Sequence, residues 1–197
     1  MSTDYRQLAH QELWQRFKAG DERALGELAR AHYPRLYNYG LRLTPDAELV
    51  WDTIQDLFLE LWDHRDTISH AVFVKTYLLK ALRYKLLKAQ PHRTTVTIDE
   101  SKSVNGLFLA SVEDEIIDNE VQAEQTRLLH HLLASLTKRQ QEVLYLRFYQ
   151  NLENHQIAQI MGMERQSVAN LLHRTFKELR SHWSPDLLLS LLLLWPK

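Results

Sequence analysis

Residues 154–183 read NHQIAQIMGMERQSVANLLHRTFKELRSHW, and no other stretch limits the possible fold as much. Ile157, Met161, Met163, Val168, Leu171 and Leu172 recur at helical spacing and form one apolar stripe. Ala158, Gly162 and Val168 fall where two helices crossing at a tight turn need a small contact residue, a turn glycine and a packed β-branched residue. Gly162 can adopt the left-handed backbone that ends the first helix, which few other residues do cheaply. The expectation is a helix-turn-helix whose second helix starts near Glu164 and lies in a DNA major groove. An ordinary helical hairpin would show the same stripe. The three positional matches favour DNA.

The rest of the chain is compatible with helix throughout. Its 197 residues contain only 5 Gly and 5 Pro, with 45% hydrophobic and 25% charged residues. That composition belongs to one or two globular domains, and the expected class is all-α. With no cysteine, disulfides, thiolate metal sites and a cysteine nucleophile are excluded. The N-terminal MSTDYRQLAHQELW has no apolar signal core, and Leu187–Trp195 is too short to span a bilayer, so a cytoplasmic location is expected. A net charge of -1 argues against indiscriminate coating of nucleic acid. Charge is nevertheless segregated: residues 75–93 are basic with no carboxylate, whereas residues 99–120 are acidic apart from Lys102.

Two helical blocks are expected, at residues 10–90 and 120–183, with a linker over 91–119 and a hydrophobic tail over 184–197. In the first block Gly20 ends a short helix and Asp21 caps the next. Pro34 predicts a kink or break. Thr44 followed by Pro45 predicts a new helix with proline at its first position. A further helix is expected over Ala71–Ala89, stopped by Pro91. In the second block Thr137 and Gln140 form a capping-box pattern. No internal repeat is evident.

Three helices carry candidate surfaces. On the second helix of the motif Arg165, Gln166, Ser167, Asn170, His173, Arg174 and Lys177 face outward. Arginine can pair with guanine, and glutamine or asparagine with adenine, through two hydrogen bonds each. The later basic residues suit phosphates. A solvated helix face would also be polar, and Glu164 is out of place beside phosphates and weaker than Ser or Thr as a cap. In WDTIQDLFLELWDHRD, Asp52, Gln55, Asp56 and Glu60 share or border a face beside Phe58 and Trp62, with Ile54, Leu57 and Leu61 assigned to the core. Paired carboxylates suggest a metal or acid/base site, but no His-rich helix or HExxH motif accompanies them. A docking surface for a protein partner fits better. In FVKTYLLKALRYKLLKA, Lys75, Lys80, Arg83, Lys85 and Lys88 interleave with Tyr77 and Tyr84. Such a pattern suits single-stranded DNA, and equally an amphipathic helix with solvated lysines.

Taken together, these blocks resemble a bacterial sigma factor of the extracytoplasmic-function (ECF) type, the two-domain branch of the sigma-70 family. IQDLFLELW and YLLKALRYKLL resemble its region 2. LLHHLLASLTKRQQEVLYLRFYQNLENHQIAQIMGMERQSVANLLHRTFKELR resembles region 4. The resemblance implies binding to RNA polymerase core and promoter DNA. It implies that Asp52, Gln55, Asp56, Phe58 and Trp62 meet the polymerase clamp. Lys75, Tyr77, Lys80, Arg83, Tyr84, Lys85 and Lys88 would melt and hold the -10 element, and Arg165, Gln166, Ser167, Asn170, His173, Arg174 and Lys177 would read the -35 element. Trp51 and the Asn-poor ALRYKLL depart from the usual family pattern. An anti-sigma partner is compatible with the resemblance; no cofactor, metal or small-molecule substrate is implied.

The main rival is an operator-binding helix-turn-helix regulator that does not act through polymerase. No nucleophile–base pair, phosphate loop or metal spacing supports an enzyme. The tail SPDLLLSLLLLWPK is expected to pack as a helix on the second block, with contact to an inhibitory or membrane-proximal partner as the other reading. The acidic linker is expected to screen the basic surfaces away from polymerase.

Overall fold

A computed structural model describes residues 11–68, 73–89 and 133–181. The chain divides into two compact units, one built on the N-terminal helices together with Gln159–Gly162 and one on the rest of the C-terminal helices. Every regular element among the described residues is a helix.

In the first unit, α1 (residues 11–18) leads through Gly20, at φ 88, into α2 (Glu22–Leu43). Asp21 caps α2, accepting from the amides of Arg23 at 2.9 Å and Ala24 at 3.2 Å. Arg16 donates to the same carboxylate at 2.7 and 3.0 Å. These bonds, led by the one from Arg16, hold the Asp21 carboxyl below its ordinary pKa.

Of the kink or break expected at Pro34, the break does not occur, and α2 runs on through it. Its ring is exposed, while Leu28, His32, Leu36 and Tyr39 bury the other side of the helix. Packing on both sides of one missing hydrogen bond outweighs the proline.

The start of α3 (Ala47–Asp63) also differs from expectation. Thr44 belongs to α2, its amide donating to Gly40 O at 3.0 Å. Asp46 is the cap instead, its carboxylate accepting from Leu49 N at 3.0 Å, so Pro45 stands before the helix. A carboxylate one residue past the proline is better placed to accept than a threonine already engaged in closing the previous helix.

Helix α4 (Val74–Ala89) completes the unit, and α2, α3 and α4 pack on one another. Its expected start at Ala71 and stop at Pro91 lie outside the described residues. Ile54, Leu57 and Leu61 are buried as expected, together with Trp14, Phe17, Tyr39, Leu79 and Leu82. Close approach of α2 to α3 depends on Gly40, where a Cβ would lie 2.5 Å from Val50 Cγ1. Gly40→Ala gains about 1 kcal/mol of helix propensity. The overlap with a β-branched residue fixed in the core costs about 1–3 kcal/mol. A net loss in thermal stability is expected, read as a lower Tm by circular dichroism. A higher Tm would show that Val50 can move away.

In the second unit Thr137 caps α5 (Lys138–Leu144) through the expected capping box. The helix continues as a π-helical turn at Tyr145–Tyr149, with Gln150 N donating to Tyr145 O at 3.0 Å. Asn151, at φ 50, then turns the chain. Helices α6 (Asn154–Met161) and α7 (Arg165–Ser181) follow. They meet at Gly162, which is left-handed at φ 63 as the sequence demanded. Met163 N bonds back to Ala158 O at 3.0 Å, and Val168 N to Glu164 O at 3.1 Å. No helix among the described residues is long and apolar enough to cross a membrane. The expected linker and the hydrophobic tail lie outside the described residues.

Candidate nucleic-acid and polymerase surfaces

The apolar side of α7 is set by Val168, Leu172, Thr175 and Leu179, all buried. Thr175 is tolerated there because its hydroxyl donates to Leu171 O at 2.8 Å. On the opposite side Gln166, Asn170, His173, Arg174 and Lys177 share one exposed face. Gln166 Nε2 donates to Asn170 Oδ1 at 3.2 Å, so two readout-capable amides lie side by side. Arg165 and Ser167 are also exposed, on either flank of that face, and Glu164 is exposed just before the helix.

The far end of α7 is anchored by the α5 capping box. Gln140 Oε1 accepts from Thr137 N at 2.8 Å, and Gln140 Nε2 donates to Glu178 at 2.6 Å. One side chain thus closes one helix start and holds another helix. The capping pattern was visible in sequence; the Glu178 contact, 38 residues away, was not.

On α4 the expected residues do not form a single surface. Tyr77, Lys80, Tyr84 and Lys88 share an outer face, with Tyr84 67% exposed. Leu87 is exposed beside them and was not anticipated. Tyr77 is half-buried, its ring edge-on to Trp14 at 5.4 Å. Burial, aided by Glu60, raises its phenol above the ordinary value. Lys85 is paired with Glu60 of α3, and Arg83 is half-buried. Lys75 stands on the inner side of the helix. Burial first, then Arg35, lowers its ammonium to about 8. It is therefore charged at neutral pH at some expense to stability, which is relieved as pH rises from about 8.

On α3, Asp52, Gln55 and Asp56 are exposed on one face. Leu59, 63% exposed, falls on that face at the next turn, and Trp51, 47% exposed, stands at its edge. Sequence reasoning missed Leu59 as a surface residue, although its spacing from Asp52, Gln55 and Asp56 carried the signal. Phe58 and Trp62 are half-buried on the flank. The Trp62 ring lies 6.5 Å from Phe17, with the Arg65 guanidinium 4.6 Å over it. No group of three or more His, Asp or Glu able to hold a metal occurs among the described residues.

A left-handed glycine turn, a second helix with an outward polar face and a separate helical unit with basic-aromatic and acidic-apolar faces are the features of a helical DNA-binding protein. Family comparison makes this specific. Residues 28–90 match sigma-70 region 2 and residues 126–179 match sigma-70 region 4, together more than half the chain. The chain belongs to the sigma-70 family, and its relatives place it among the ECF sigma factors.

The ECF RNA polymerase sigma factor SigL of Mycobacterium tuberculosis is 27% identical over 168 residues, covering 82% of this chain and 92% of that protein. RNA polymerase sigma-F factor of Kitasatospora aureofaciens is 43% identical over 58 residues, where this chain spans only 20% of its length. The sigma factor RpoE of Bartonella quintana, solved with the anti-sigma factor NepR, shares the fold at TM-score 0.53 and 15% identity, covering 80% of this chain and 94% of that one. As a sigma factor the protein directs RNA polymerase to promoters, binding the core enzyme and promoter DNA.

Proposed function

We propose that the three helices divide initiation among them. The exposed Gln166–Asn170–Lys177 face of α7 reads the -35 element, with Arg165 and Ser167 at its margins and His173, Arg174 and Lys177 on phosphates. The outer face of α4 holds the -10 element as it opens, Tyr84 stacking on an unpaired base while Lys80 and Lys88 neutralise phosphates. Lys75, Arg83 and Lys85 act from the sides of that helix. Asp52, Gln55, Asp56, Phe58 and Trp62 form the polymerase contact, extended by Leu59. The chain performs no covalent step and acts in the cytoplasm. A regulatory protein of the anti-sigma kind, such as the one that holds the Bartonella relative, completes its partners.

The observation carrying this reading is the α7 face, where the residues able to read bases are exposed while Val168, Leu172 and Leu179 bury the other side. Binding energy from two DNA contacts and one polymerase contact drives duplex opening, and tethering both DNA contacts to one chain raises their effective concentration.

The test uses the full chain with core polymerase on a randomised promoter library. Asn170→Ala is expected to relax preference at one -35 base pair, an effect of about 1–3 kcal/mol. Arg174→Ala is expected to weaken all promoters alike and reduce the salt slope by about 1. Unchanged base preference in both Asn170→Ala and Gln166→Ala would remove α7 as the reader.

A further inference from the structure

The two amides that the proposed function places at base edges are joined to each other. Gln166 Nε2 donates to Asn170 Oδ1 at 3.2 Å. Among the described residues this is the only bond between two side chains of the exposed α7 face, which also carries His173, Arg174 and Lys177. Such a bond between residues four apart lends a helix little stability. It has a larger effect on what the face presents to DNA, because it fixes the direction of an amide.

A free carboxamide carries an acceptor oxygen and a nitrogen with two N–H donors, and exchanges their places by turning half a circle about its last bond. Asn170 loses that choice while its oxygen accepts from Gln166. Its Oδ1 is turned back towards Gln166, so Nδ2, on the other side of the amide, is the group it offers outward. Gln166 keeps its own Oε1 as an acceptor. The pair presents a donor from Asn170 beside an acceptor from Gln166. In the major groove guanine N7 and O6 and thymine O4 accept, whereas cytosine N4 and adenine N6 donate.

Spacing favours joint reading as well. Residues four apart stand about 6 Å apart along a helix, at 1.5 Å per residue. The bonded amides close that gap to 3.2 Å, near the rise of about 3.4 Å between stacked base pairs. Linked tips match adjacent base pairs; unlinked ones would fall about two steps apart.

We infer that Gln166 and Asn170 read DNA as one unit. Gln166 holds the Asn170 amide with Nδ2 towards the groove, so that Asn170 selects guanine or thymine. Gln166 Oε1 accepts from cytosine or adenine of the adjacent base pair. Gln166 is then both a base contact and the positioning residue for Asn170. The inference rests on the assignment of α7 to the -35 element and adds to it the kind of base each amide takes.

The test uses the full chain with core polymerase on a library randomised across the -35 element. Wild type is compared with Gln166→Ala, Asn170→Ala, the double variant and Gln166→Glu. Both positions are exposed, so the variants are expected to fold as wild type does. Asn170→Ala should lower discrimination at its base pair by about fivefold or more. Gln166→Ala should lose preference at its own base pair and also weaken it at the Asn170 base pair by about twofold or more, the coupling expected of side chains in contact. The double variant should lose less than the product of the two single losses. Gln166→Glu is the sharper probe. Its carboxylate only accepts, so Asn170 must donate to it and turn Oδ1 outward. Preference at the Asn170 base pair should then move from guanine or thymine to adenine or cytosine. Single losses that multiply, with Gln166→Glu altering only its own base pair, would overturn the joint reading and leave α7 as the reader. If no variant changes any base preference, the joint reading and the assignment of α7 fall together.

Discussion

Leu59→Glu is expected to weaken binding to core polymerase by about thirtyfold or more while leaving the thermal melt unchanged. Leu59 is 63% exposed in the middle of a face otherwise made of Asp52, Gln55 and Asp56. An apolar side chain ringed by polar ones is the usual form of an interface anchor, and truncating such an anchor costs about 2 kcal/mol or more. That is about thirtyfold in affinity. Glutamate is a good helix former, and the site is solvated in the free protein, so the fold should not notice the change. The measurement is titration of labelled core polymerase with wild-type and variant chains, beside circular dichroism melts of both. Wild-type affinity in the variant would mean that polymerase uses another surface. The proposed clamp contact would then have to be relocated.

Leu82→Ala should produce the largest loss of stability of any single change considered. Leu82 is fully buried on α4, where α2, α3 and α4 pack together, with Leu78, Leu79 and Leu86 buried along the same helix. Removing three carbons there forfeits the transfer energy and leaves a cavity, about 2–5 kcal/mol together. A small domain has only about 5–15 kcal/mol of total stability. The midpoint of thermal unfolding is expected to fall by about 10 °C or more. Leu82→Met keeps the volume and should cost less than about 1.5 kcal/mol. If both variants melt alike, the loss would come from something other than cavity formation.

Much of this fold could be read from residue spacing. Asp21, Gly162 and the Thr137–Gln140 pair each act over three or four residues, where one backbone geometry satisfies one side chain. The apolar stripe of Ile54, Leu57 and Leu61 likewise needs only the helical period. Failures occurred where tertiary packing overrode local rules. Pro34 sits in an unbroken helix because buried neighbours on both sides hold it. The start of α3 went to Asp46 because Thr44 was already committed to α2, a fact about the preceding helix rather than the dipeptide.

Surfaces were harder to read than elements. Lys75 carries the same charge as Lys80, but only the packing of α2 reveals that Lys75 faces inward near Arg35. Leu59 resembled the core leucines beside it and differs only in its angle around the helix. The Gln140–Glu178 bond joins residues whose proximity no periodicity announces.

That bond has a consequence for how such a protein changes over generations. It grips α7 near its last turn, and the buried Val168, Leu172 and Leu179 hold the inner side. Gln166 and Asn170, nearer the glycine turn, contribute nothing to that grip. Substitutions there are surface changes, within about 0.5 kcal/mol of neutral for the fold. On the proposed assignment of Gln166 and Asn170 to the -35 element, promoter preference can drift among descendants of this gene while the scaffold that aims the helix remains under separate, stricter selection.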